Sequence, residues 1–541
     1  MKLRALHTLY RLSLAPKLWA FDQALQNPWA AKEQILRQIL QRNARTRYGQ
    51  QWGFSGMGSV DQYRKKVPLI TYDDISPYIE AMKNGETDVL TTEQVKVFEK
   101  TSGSAAPSKY IPLTPLLLSE IHNATSVWLH DLYTAQPALR RTTAYWAISS
   151  RTGNAEQTPG GIPIGMADDT GYFSPLEQWF MQQVFAVDPR IAGVQDSSQW
   201  KKLTCLYLLA DENLGFISVW SPTFLILLCR YMEEHWDELL AALTQTPLPV
   251  PVSWKKPRIS RRRERALAAA RRGPAIDFKH VWPCLQLVST WKDGSSRNFI
   301  PELEQLLPDV AIQGKGLLMT EGIISFPLQH LADPVLAIRS HFYEFLPVNN
   351  GDSTLLPEEV KKGSSYIPVI TTSGGLYRYK TGDQVEVTGF ANRVPLLRFI
   401  SRCDRVSDLF GEKLSEAFVH GLLQDARREL AVPLKFFMLA PREGIPGGYV
   451  LYVEAQGALD EQALATAVEQ RLQENHQYAY CRRLGQLAAL RVERITGALQ
   501  TYERVMVEVC GQQRGAVKFP SLDTRTFWSA CFQKHNNYTS M

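Results

Sequence analysis

Residues 377–404, YRYKTGDQVEVTGFANRVPLLRFISRCD, mark the place where the pattern of the chain changes. Up to that place, alternating apolar and polar residues predict short strands joined by turns, over 376–379, 384–388 and 396–401. Beyond Asp404 the pattern predicts a helix, two strands, a second helix and a third strand, over 412–430, 434–440, 449–455, 460–474 and 487–494. The order αββαβ is typical of a small α+β sandwich of the split βαβ kind.

This change of pattern predicts a domain boundary near residues 402–404. A chain of 541 residues has room for more than one domain. We therefore expect a large α/β domain with several sheets over residues 1–402, and a small, mobile α+β domain over residues 403–541.

The large part alternates between helical and strand-like segments. Residues 29–46 place Ile35, Ile39 and Leu40 on one face, which predicts an amphipathic helix. Ser221 and Pro222 are typical of a helix start, with serine as the cap and proline in the first turn. The remaining predicted elements are a loop over 68–77, a short strand over 93–100, a helix from about Pro115, a long loop over 150–170, a helix from Ser221 to about Leu243, and buried strands over 281–290 and 334–339.

The net charge of +6 comes from one segment of the chain. Residues 255–273 hold nine Lys and Arg and one Glu, a net +8, so the rest of the chain carries −2. A solvated helix face explains such a segment more simply than a nucleic-acid site does, because no aromatic side chains for base stacking are interleaved with the charges. We therefore expect no nucleic-acid partner.

Seven cysteines are scattered along the chain, and none forms a CxxC pair. A disulfide framework and a zinc ribbon are therefore not expected, and a reducing cytoplasm fits this usage best. The N-terminal residues lack the apolar core and the cleavage site of a signal peptide. The most apolar stretch, 214–229, is shorter than the roughly 20 residues that a membrane span needs. We expect a cytoplasmic protein with no membrane partner, as a monomer or weak dimer.

Five places in the chain carry side chains suited to chemistry on a phosphorylated substrate. TSGSAAPSK, 101–109, offers hydroxyls, backbone N–H groups and a lysine between a predicted strand and a predicted helix, which suits a phosphate. MTEG, 319–322, could present a carboxylate to Mg²⁺. The Gly-Asp turn of YRYKTGD, 377–383, could aim a carboxylate at ribose hydroxyls. The last two places are RFISRCD, 398–404, which with GEKLSE, 411–416, pairs an arginine with a hinge, and GAVKFP, 515–520, which carries a lysine on a loop.

Each of these places, taken singly, is explained as well by an ordinary turn or a solvated charge. Together and in this order they resemble the adenylate-forming superfamily. The similarity narrows to the Gretchen Hagen family of acyl-acid amido synthetases, and it runs from about residue 28 to 520. The matching segments are NARTRYGQQWGF (43–54), VPLITYDDISPYIEAMKNGE (67–86), FEKTSGSAAPSKYIPLT (98–114), HVWPCLQLV (280–288), TEGIISFP (320–327), YRYKTGDQVEVTGF (377–390) and GEKLSE (411–416).

The resemblance implies a large adenylate-forming N-terminal domain and a small C-terminal domain that brings a lysine to the site. It implies a ligase that activates a carboxylic acid as an acyl-adenylate, releases pyrophosphate, and transfers the acyl group to an amine, namely an amino acid. ATP and Mg²⁺ are the implied cofactors. Two alternatives stay open: a ligase with a thiol acceptor such as coenzyme A, and a non-catalytic relative that binds nucleotide or acyl ligand.

The resemblance also assigns residues. Lys518 would stabilise the adenylation transition state, and Glu321 would help to hold Mg²⁺. Asp383 would bind the ribose hydroxyls, and Arg402 would reach the ribose or a phosphate from the hinge. The acyl pocket would lie between the helix after Pro115, the 144–166 region and Ser221–Phe224. The residues assigned to ATP are Thr101, Ser102, Gly103, Ser104, Met319, Thr320, Glu321, Tyr377, Asp383, Phe399 and Arg402, and those assigned to catalysis are Lys518, Glu321 and Lys413.

The chain departs from the family pattern in two places. Its phosphate loop reads TSGSAAPSK where the family typically has TSGTTSGKPK, so the loop is one residue shorter and has one glycine fewer. Fewer glycines leave fewer backbone conformations for wrapping a phosphate. Ala516 stands where the family tends to have glutamine. These departures keep the non-catalytic alternative open.

Overall fold

A computed structural model of the chain describes residues 2–101, 109–147, 156–165, 175–194, 196–244, 254, 257, 259–273, 275–348, 353–403, 405–431, 433–442, 444, 446–512 and 514–536. Its α-helices are α1 Lys2–Gln26, α2 Pro28–Arg42, α3 Arg47–Trp52, α4 Val60–Lys66, α5 Tyr72–Lys83, α6 Pro115–Ala135, α7 Pro175–Val184, α8 Ser197–Ala210, α9 Pro222–Glu234, α10 Trp236–Thr244, α11 Arg261–Ala270, α12 Phe278–Val281, α13 Ile300–Leu306, α14 Glu416–Glu429, α15 Glu461–Leu472, α16 His476–Arg483, α17 Ala498–Glu508 and α18 Trp528–Asn536. Among these described residues, no helix is both long and apolar enough to span a membrane.

The strands group into several sheets. They are β1 Val97–Thr101, β2 Lys109–Leu113, β3 Thr143–Trp146, β4 Glu156–Gln157, β5 Pro163–Ile164, β6 Leu214–Ser218, β7 Arg271–Arg272, β8 Ala275–Ile276, β9 Leu287–Thr290, β10 Ala311–Gly314, β11 Leu318–Met319, β12 Gly322–Ile323, β13 Ser325–Phe326, β14 Val335–Leu336, β15 Phe342–Pro347, β16 Ser365–Thr371, β17 Tyr379–Lys380, β18 Asp383–Ala391, β19 Val394–Arg402, β20 Val406–Ser407, β21 Leu414–Ser415, β22 Leu434–Arg442, β23 Gly448–Ala455 and β24 Arg491–Arg494.

Four strands form a parallel sheet in the order β10-β9-β6-β3. All residues of β6 and β9 are buried, which is typical of strands that are covered on both faces. Parallel strands put their carboxyl ends at one edge of the sheet, where ligands of α/β proteins bind. That edge therefore carries the residues that follow β3, β6, β9 and β10.

A second sheet is antiparallel and has the order β13-β14-β19-β18-β16-β15, with β17 on β16. Its long β18 and β19 pair with Asp383 opposite Arg402. Between the two sheets in the chain, β11 and β12 form a small hairpin with Thr320 and Glu321 at its turn. Asp383 and Arg402, two of the predicted nucleotide residues, thus lie at the ends of adjacent strands of the second sheet.

The C-terminal part has the elements α14, β22, β23, α15, α16 and β24, so the predicted order αββαβ is present with one additional helix, α16, before the last strand. β22 pairs antiparallel with β23, and β23 pairs parallel with β24. One face of this sheet, including Phe437 and Leu439, packs with apolar residues of α14 and α15. The opposite face, including Phe436 and Met438, packs with α17, α18 and the main core. The alternation of side chains along β22 therefore covers the small sheet on both faces.

Three local predictions were wrong. Residues 68–77 are not all loop, because α5 begins at Tyr72, with Thr71 N–H donating to Asp74 Oδ2 at 2.7 Å in a capping box. The helix predicted from Ser221 to Leu243 is interrupted at His235, whose ring stacks on Tyr231 at 4.1 Å. The strand predicted over 281–290 is shorter, since α12 occupies its start and β9 begins at Leu287.

Only part of the basic segment, residues 255–273, is a solvated helix face. Within α11, Arg261, Arg262 and Arg265 are exposed. Arg263 is buried, and its Nε and Nη2 donate to the Leu209 carbonyl at 3.0 and 2.8 Å. That carbonyl belongs to the last turn of α8, which has no helical donor of its own. Arg263 therefore caps a neighbouring helix.

Candidate active site

The turn between β11 and β12 presents Glu321, which is only 7% exposed. His341 holds this turn in place, because its Nε2 accepts the Ile323 N–H at 3.1 Å. The ring proton is therefore on Nδ1, which lies 3.0 Å from Glu120 Oε2 and donates to it. Tyr343 adds a hydrogen bond from its hydroxyl to the Ile323 carbonyl at 2.6 Å. A buried network thus fixes the position of Glu321.

Gly322 is required by this arrangement. A Cβ atom at Gly322 would lie 2.6 Å from His341 Nε2. No side chain fits there unless the histidine or the turn moves. The turn that presents Glu321 therefore requires a glycine at position 322.

Glu321 faces both cations and a tyrosine. Tyr379 donates from its hydroxyl to Glu321 Oε1 at 3.5 Å. Burial raises the pKa of Glu321, while Arg402 and Lys109 lower it and Asp383 raises it. Lys109 ends the predicted phosphate loop, so that end of the loop lies close to the predicted magnesium ligand. A buried carboxylate can hold a metal ion, and the two cations can balance the charge of a phosphate.

Asp383 and Arg402 lie side by side at the ends of β18 and β19. Arg402 Nη1 is 3.8 Å from Asp383 Oδ1, which is an ion pair without a hydrogen bond. Asp383 is 3% exposed, and its Oδ1 is buried and accepts no hydrogen bond from the described residues. An unsatisfied buried acceptor costs about 1–3 kcal/mol. A ribose hydroxyl is a donor that would satisfy this oxygen.

Lys518 lies on a loop that is anchored by the buried residues on either side of it. Val517 and Phe519 on either side of it are buried, and Phe519 packs edge-on to Phe299 at 5.7 Å. Lys518 itself is exposed, and its ammonium lies 4.6 Å from the ring centroid of Trp291. The loop therefore places the lysine of the C-terminal part of the chain against Trp291, at the carboxyl edge of the parallel sheet.

The charges around Lys518 are those of the predicted nucleotide site. Protein atoms crowd the ammonium although one face of the residue is exposed, and the loss of hydration lowers the pKa of Lys518. Asp383 and Glu416 raise this pKa, and Arg402 and Arg405 lower it. The structure thus brings together Lys518, Asp383 and Arg402, which are far apart in sequence.

Arg405 and Glu416 were missed by the sequence analysis. Arg405 Nη1 lies 3.2 Å from Glu416 Oε2, and Glu416 Oε1 accepts the Ser521 N–H at 3.3 Å. Burial raises the pKa of Glu416, whereas Arg405, Arg402 and Lys518 lower it. This link ties the start of α14 to the Lys518 loop. Glu416 stands in the GEKLSE motif directly after the Ser415 cap, which was the available signal.

Tyr377 does not join this cluster. Its hydroxyl donates to the Leu90 carbonyl at 2.5 Å, and its ring stacks on Tyr48 at 4.9 Å in the core. Tyr379 lies beside Glu321 instead. Arg378 between them has a left-handed backbone, with φ of 51°, so the simple alternation of faces that a strand provides does not hold there.

The other predicted residues are placed as follows. Met319 and Thr320 lie partly buried in the hairpin beside Glu321. Phe399 is partly buried against Gly294, whose added Cβ would lie 2.7 Å from the ring. Lys413 is exposed on the turn between β20 and β21, and no hydrogen bond or ion pair of the described residues joins it to the cluster. Thr101 ends β1, and Ser102, Gly103 and Ser104 lie outside the described residues.

Tryptophans line the carboxyl edge of the parallel sheet. Trp146 ends β3, Trp220 follows β6 by two residues and Trp291 follows β9 directly. Trp128 of α6 lies 5.9 Å from Trp146, and Trp220 lies 5.8 Å from Trp291, between ring centroids. Helix α6 and the Ser221–Phe224 segment were both predicted to border the acyl pocket. Helix α6 carries Trp128, and Trp220 directly precedes Ser221.

Three family models match consecutive parts of the chain. They are the GH3 (Gretchen Hagen) family N-terminal domain at residues 17–312, the central domain at 334–402 and the C-terminal domain at 417–523. Among curated relatives, indole-3-acetic acid-amido synthetase GH3.2 of Arabidopsis thaliana is 24% identical over 484 residues, 82% of this chain and 87% of the relative. The 4-substituted benzoates-glutamate ligase GH3.12 of the same plant is 23% identical over 482 residues, 81% of this chain and 83% of the relative.

Solved structures share the fold. The AtGH3.15 acyl acid amido synthetase in complex with 2,4-DB has a TM-score of 0.82 at 21% identity, over 97% of this chain and 96% of that chain. A 2-hydroxyisobutyryl-CoA ligase in the postadenylation state has a TM-score of 0.53 at 12% identity, over 96% of this chain and 93% of that chain. The expected fold and the expected resemblance are confirmed: the chain belongs to the GH3 family.

Proposed function

We propose that the chain is an ATP-dependent acyl-acid amido synthetase. It activates a carboxylic acid as an acyl-adenylate and then joins the acyl group to the amino group of an amino acid through an amide bond. The observation that carries the proposal is the convergence of Glu321, Asp383, Arg402 and Lys518 from separate segments onto one site. Membership of the GH3 family and the amido synthetase names of the relatives support the same reaction.

In the first step a carboxylate oxygen attacks the α-phosphorus of ATP, and pyrophosphate leaves. Negative charge spreads over the phosphate oxygens in the transition state, so fixed cations accelerate the reaction more than a covalent nucleophile would. Lys518 lies against Trp291 at the sheet edge that we assign to the acid, and Lys109 is close enough to Glu321 to lower its pKa. Asp383 Oδ1 has the free capacity to accept a ribose hydroxyl.

Glu321 suits a magnesium ion that is shared with a nucleotide. Magnesium prefers one or two carboxylates together with phosphate oxygens. Within the described residues, no group of three or more His, Cys, Asp and Glu side chains could form a complete protein cage. Mg²⁺ bound there would neutralise charge on the phosphates, and Glu321 would hold it from the fixed hairpin turn.

In the second step the amine attacks the acyl carbonyl, and AMP leaves. We propose that a movement of the small domain over residues 403–541 withdraws Lys518 and opens the path for the amine. We also propose a cytoplasmic location, which the scattered cysteines of the sequence, without a CxxC pair, support, and a monomeric or weakly dimeric protein.

The decisive experiment measures pyrophosphate release from ATP and Mg²⁺ with a panel of aromatic and aliphatic acids, with and without pooled amino acids. We expect acid-dependent release that rises with amino acids, together with AMP and an amide identified by mass. A thioester formed with coenzyme A in place of the amide would contradict the proposed acceptor. ATP binding without pyrophosphate release from any acid would contradict the proposed activity.

A further inference from the structure

Lys315 lies at the carboxyl edge of the parallel sheet, directly after β10. Its ammonium donates to Ser218 Oγ, at the end of β6, at 2.7 Å. The ammonium also lies 5.3 Å from the ring centroid of Trp128 and 5.2 Å from that of Trp220. A cation is thus held between two aromatic rings at the edge of the sheet where ligands bind.

No carboxylate neutralises this lysine within the part of the chain that the structure describes. The contacts of its ammonium are one hydroxyl and two rings, and the residue is only partly buried. Burial alone lowers the pKa of Lys315 to about 7, and no charged neighbour contributes to the shift. A poorly hydrated cation with no anionic partner is costly, and an anion from outside would remove that cost.

The rings of Trp220 and Trp291 lie between Lys315 and Lys518. Trp220 contacts Lys315 on one side and lies 5.8 Å from Trp291 on the other, and Trp291 contacts Lys518 at 4.6 Å. The reacting carboxylate must lie near Lys518 for this lysine to stabilise the adenylation step. The opposite end of an acid that lies along the tryptophans then reaches Lys315.

Resting on the proposed function, we infer that Lys315 binds a second anionic group at the far end of the acyl substrate. The preferred substrates are dicarboxylic acids with an apolar body, for which the tryptophans supply a surface and Lys315 supplies the counter-charge. Lys315 is thus a specificity-determining residue: it selects the acid and takes no part in bond formation.

The test measures ATP–pyrophosphate exchange without any amine, so that only activation of the acid is followed. The probes are matched pairs: benzene-1,4-dicarboxylate against 4-methylbenzoate, and the linear dicarboxylates from pentanedioate to decanedioate against monocarboxylates of the same chain length. We expect at least one dicarboxylate to have a KM on the order of ten- to a hundredfold below that of its monocarboxylate partner. Equal KM values across all pairs would overturn the inference.

Lys315→Met removes the charge and keeps the apolar stem. We expect it to abolish the preference by raising the KM of the dicarboxylate alone, and we expect Lys315→Arg to retain the preference. Lys279→Met is the matched control, because Lys279 is exposed and pairs with Asp309 at the opposite edge of the same sheet. Equal loss with both members of a pair would assign Lys315 to the reacting carboxylate or to stability. In the complete reaction with an amino acid, a change confined to the KM of the amine would assign Lys315 to the acceptor site. Either result overturns the inference.

A pH profile gives a second readout. Trp128 from α6, and Ser218 and Trp220 from the end of β6, are the neighbours of the ammonium, and none of them titrates near neutrality. An anion raises the pKa of the lysine it binds, so dicarboxylate affinity is full below about pH 7 and falls as the pH rises above it.

If the wild type activates no acid, the proposed function fails. Calorimetric binding of the same pairs to the wild type and Lys315→Met then decides the inference alone.

Discussion

At the scale of single residues, Asp383, Arg402 and Lys518 were predicted from the sequence, whereas Arg405 and Glu416 were not. A Gly-Asp turn after a strand is visible in the sequence, and so is a lysine on a loop near the C-terminus. Arg405 and Glu416 become part of the site only because α14 and the Ser521 backbone close on each other, which a linear pattern does not reveal. Tyr377 was assigned to ATP, but Tyr379 is the tyrosine that lies beside Glu321, and the left-handed backbone at Arg378 that decides this is invisible in the sequence.

Lys518→Ala tests the proposed catalytic role of Lys518. We expect adenylation to slow by about 10²–10³-fold, or about 3–4 kcal/mol, as when a positioned donor to developing charge is lost. The fold should survive, since Lys518 is exposed. Single-turnover pyrophosphate release measures the effect, with Lys362→Ala, another exposed lysine, as the control. An unchanged rate of release would show that Lys518 has another role.

Asp383→Ala tests the ribose contact. A hydrogen bond to a charged group contributes about 1.5–3 kcal/mol, so we expect the KM for ATP to rise on the order of ten- to a hundredfold. Deoxy analogues of ATP provide the internal control. An analogue that lacks the contacted hydroxyl should bind weakly to the wild type. Its affinity for Asp383→Ala should be almost the same as its affinity for the wild type. Additive losses from the substitution and the analogue would contradict the assignment.

At the scale of elements, capping residues predicted helix starts better than apolar patterns predicted helix ends. α6 begins at Pro115 as expected, and the structure adds Thr114 as its cap, because the threonine Oγ1 accepts the Leu117 N–H at 3.2 Å. The region 68–77 was read as a loop because it holds two prolines. Pro77 is nevertheless accommodated inside α5, where the capping box and the buried Ile75 and Ile79 stabilise the helix.

Gly322→Ala tests the hairpin that carries Glu321. Its methyl group would press on His341 Nε2, so we expect a cost of about 1–3 kcal/mol in stability and a loss of adenylation activity as the turn shifts. Thermal unfolding and pyrophosphate release measure the two effects. Gly56→Ala is the control, because a Cβ there meets nothing within 4 Å. Full activity in Gly322→Ala would mean that Glu321 tolerates displacement.

At the scale of the whole molecule, the sequence indicated two parts but not how they touch. The change of pattern near residue 404 follows from local periodicity, and the domain boundary placed there remains a prediction. The contact itself involves Phe299 and Phe519, of which only Phe519 lies in a segment that the sequence analysis singled out, GAVKFP. Contacts between distant segments depend on the folded shape and have no local signature.

Phe299→Leu tests this contact. The smaller side chain weakens the packing against Phe519. We expect slower adenylation, because the packing of Phe519 positions the adjacent Lys518. The equilibrium affinity for ATP should stay unchanged, since Asp383 and Glu321 lie outside the contact. Phe278→Leu, in the stack of Phe278 on Trp282 at 5.3 Å, is the control for a buried phenylalanine elsewhere. A parallel loss of ATP affinity would indicate general destabilisation.

The tryptophans along the sheet edge also give the protein an optical reporter of its own. Trp128, Trp146, Trp220 and Trp291 are four of the thirteen tryptophans in the chain. An acid that lies along these four rings would displace water from them and change their emission. Titration of the unlabelled protein with candidate acids, followed by intrinsic fluorescence, could therefore screen for substrates before any turnover is known.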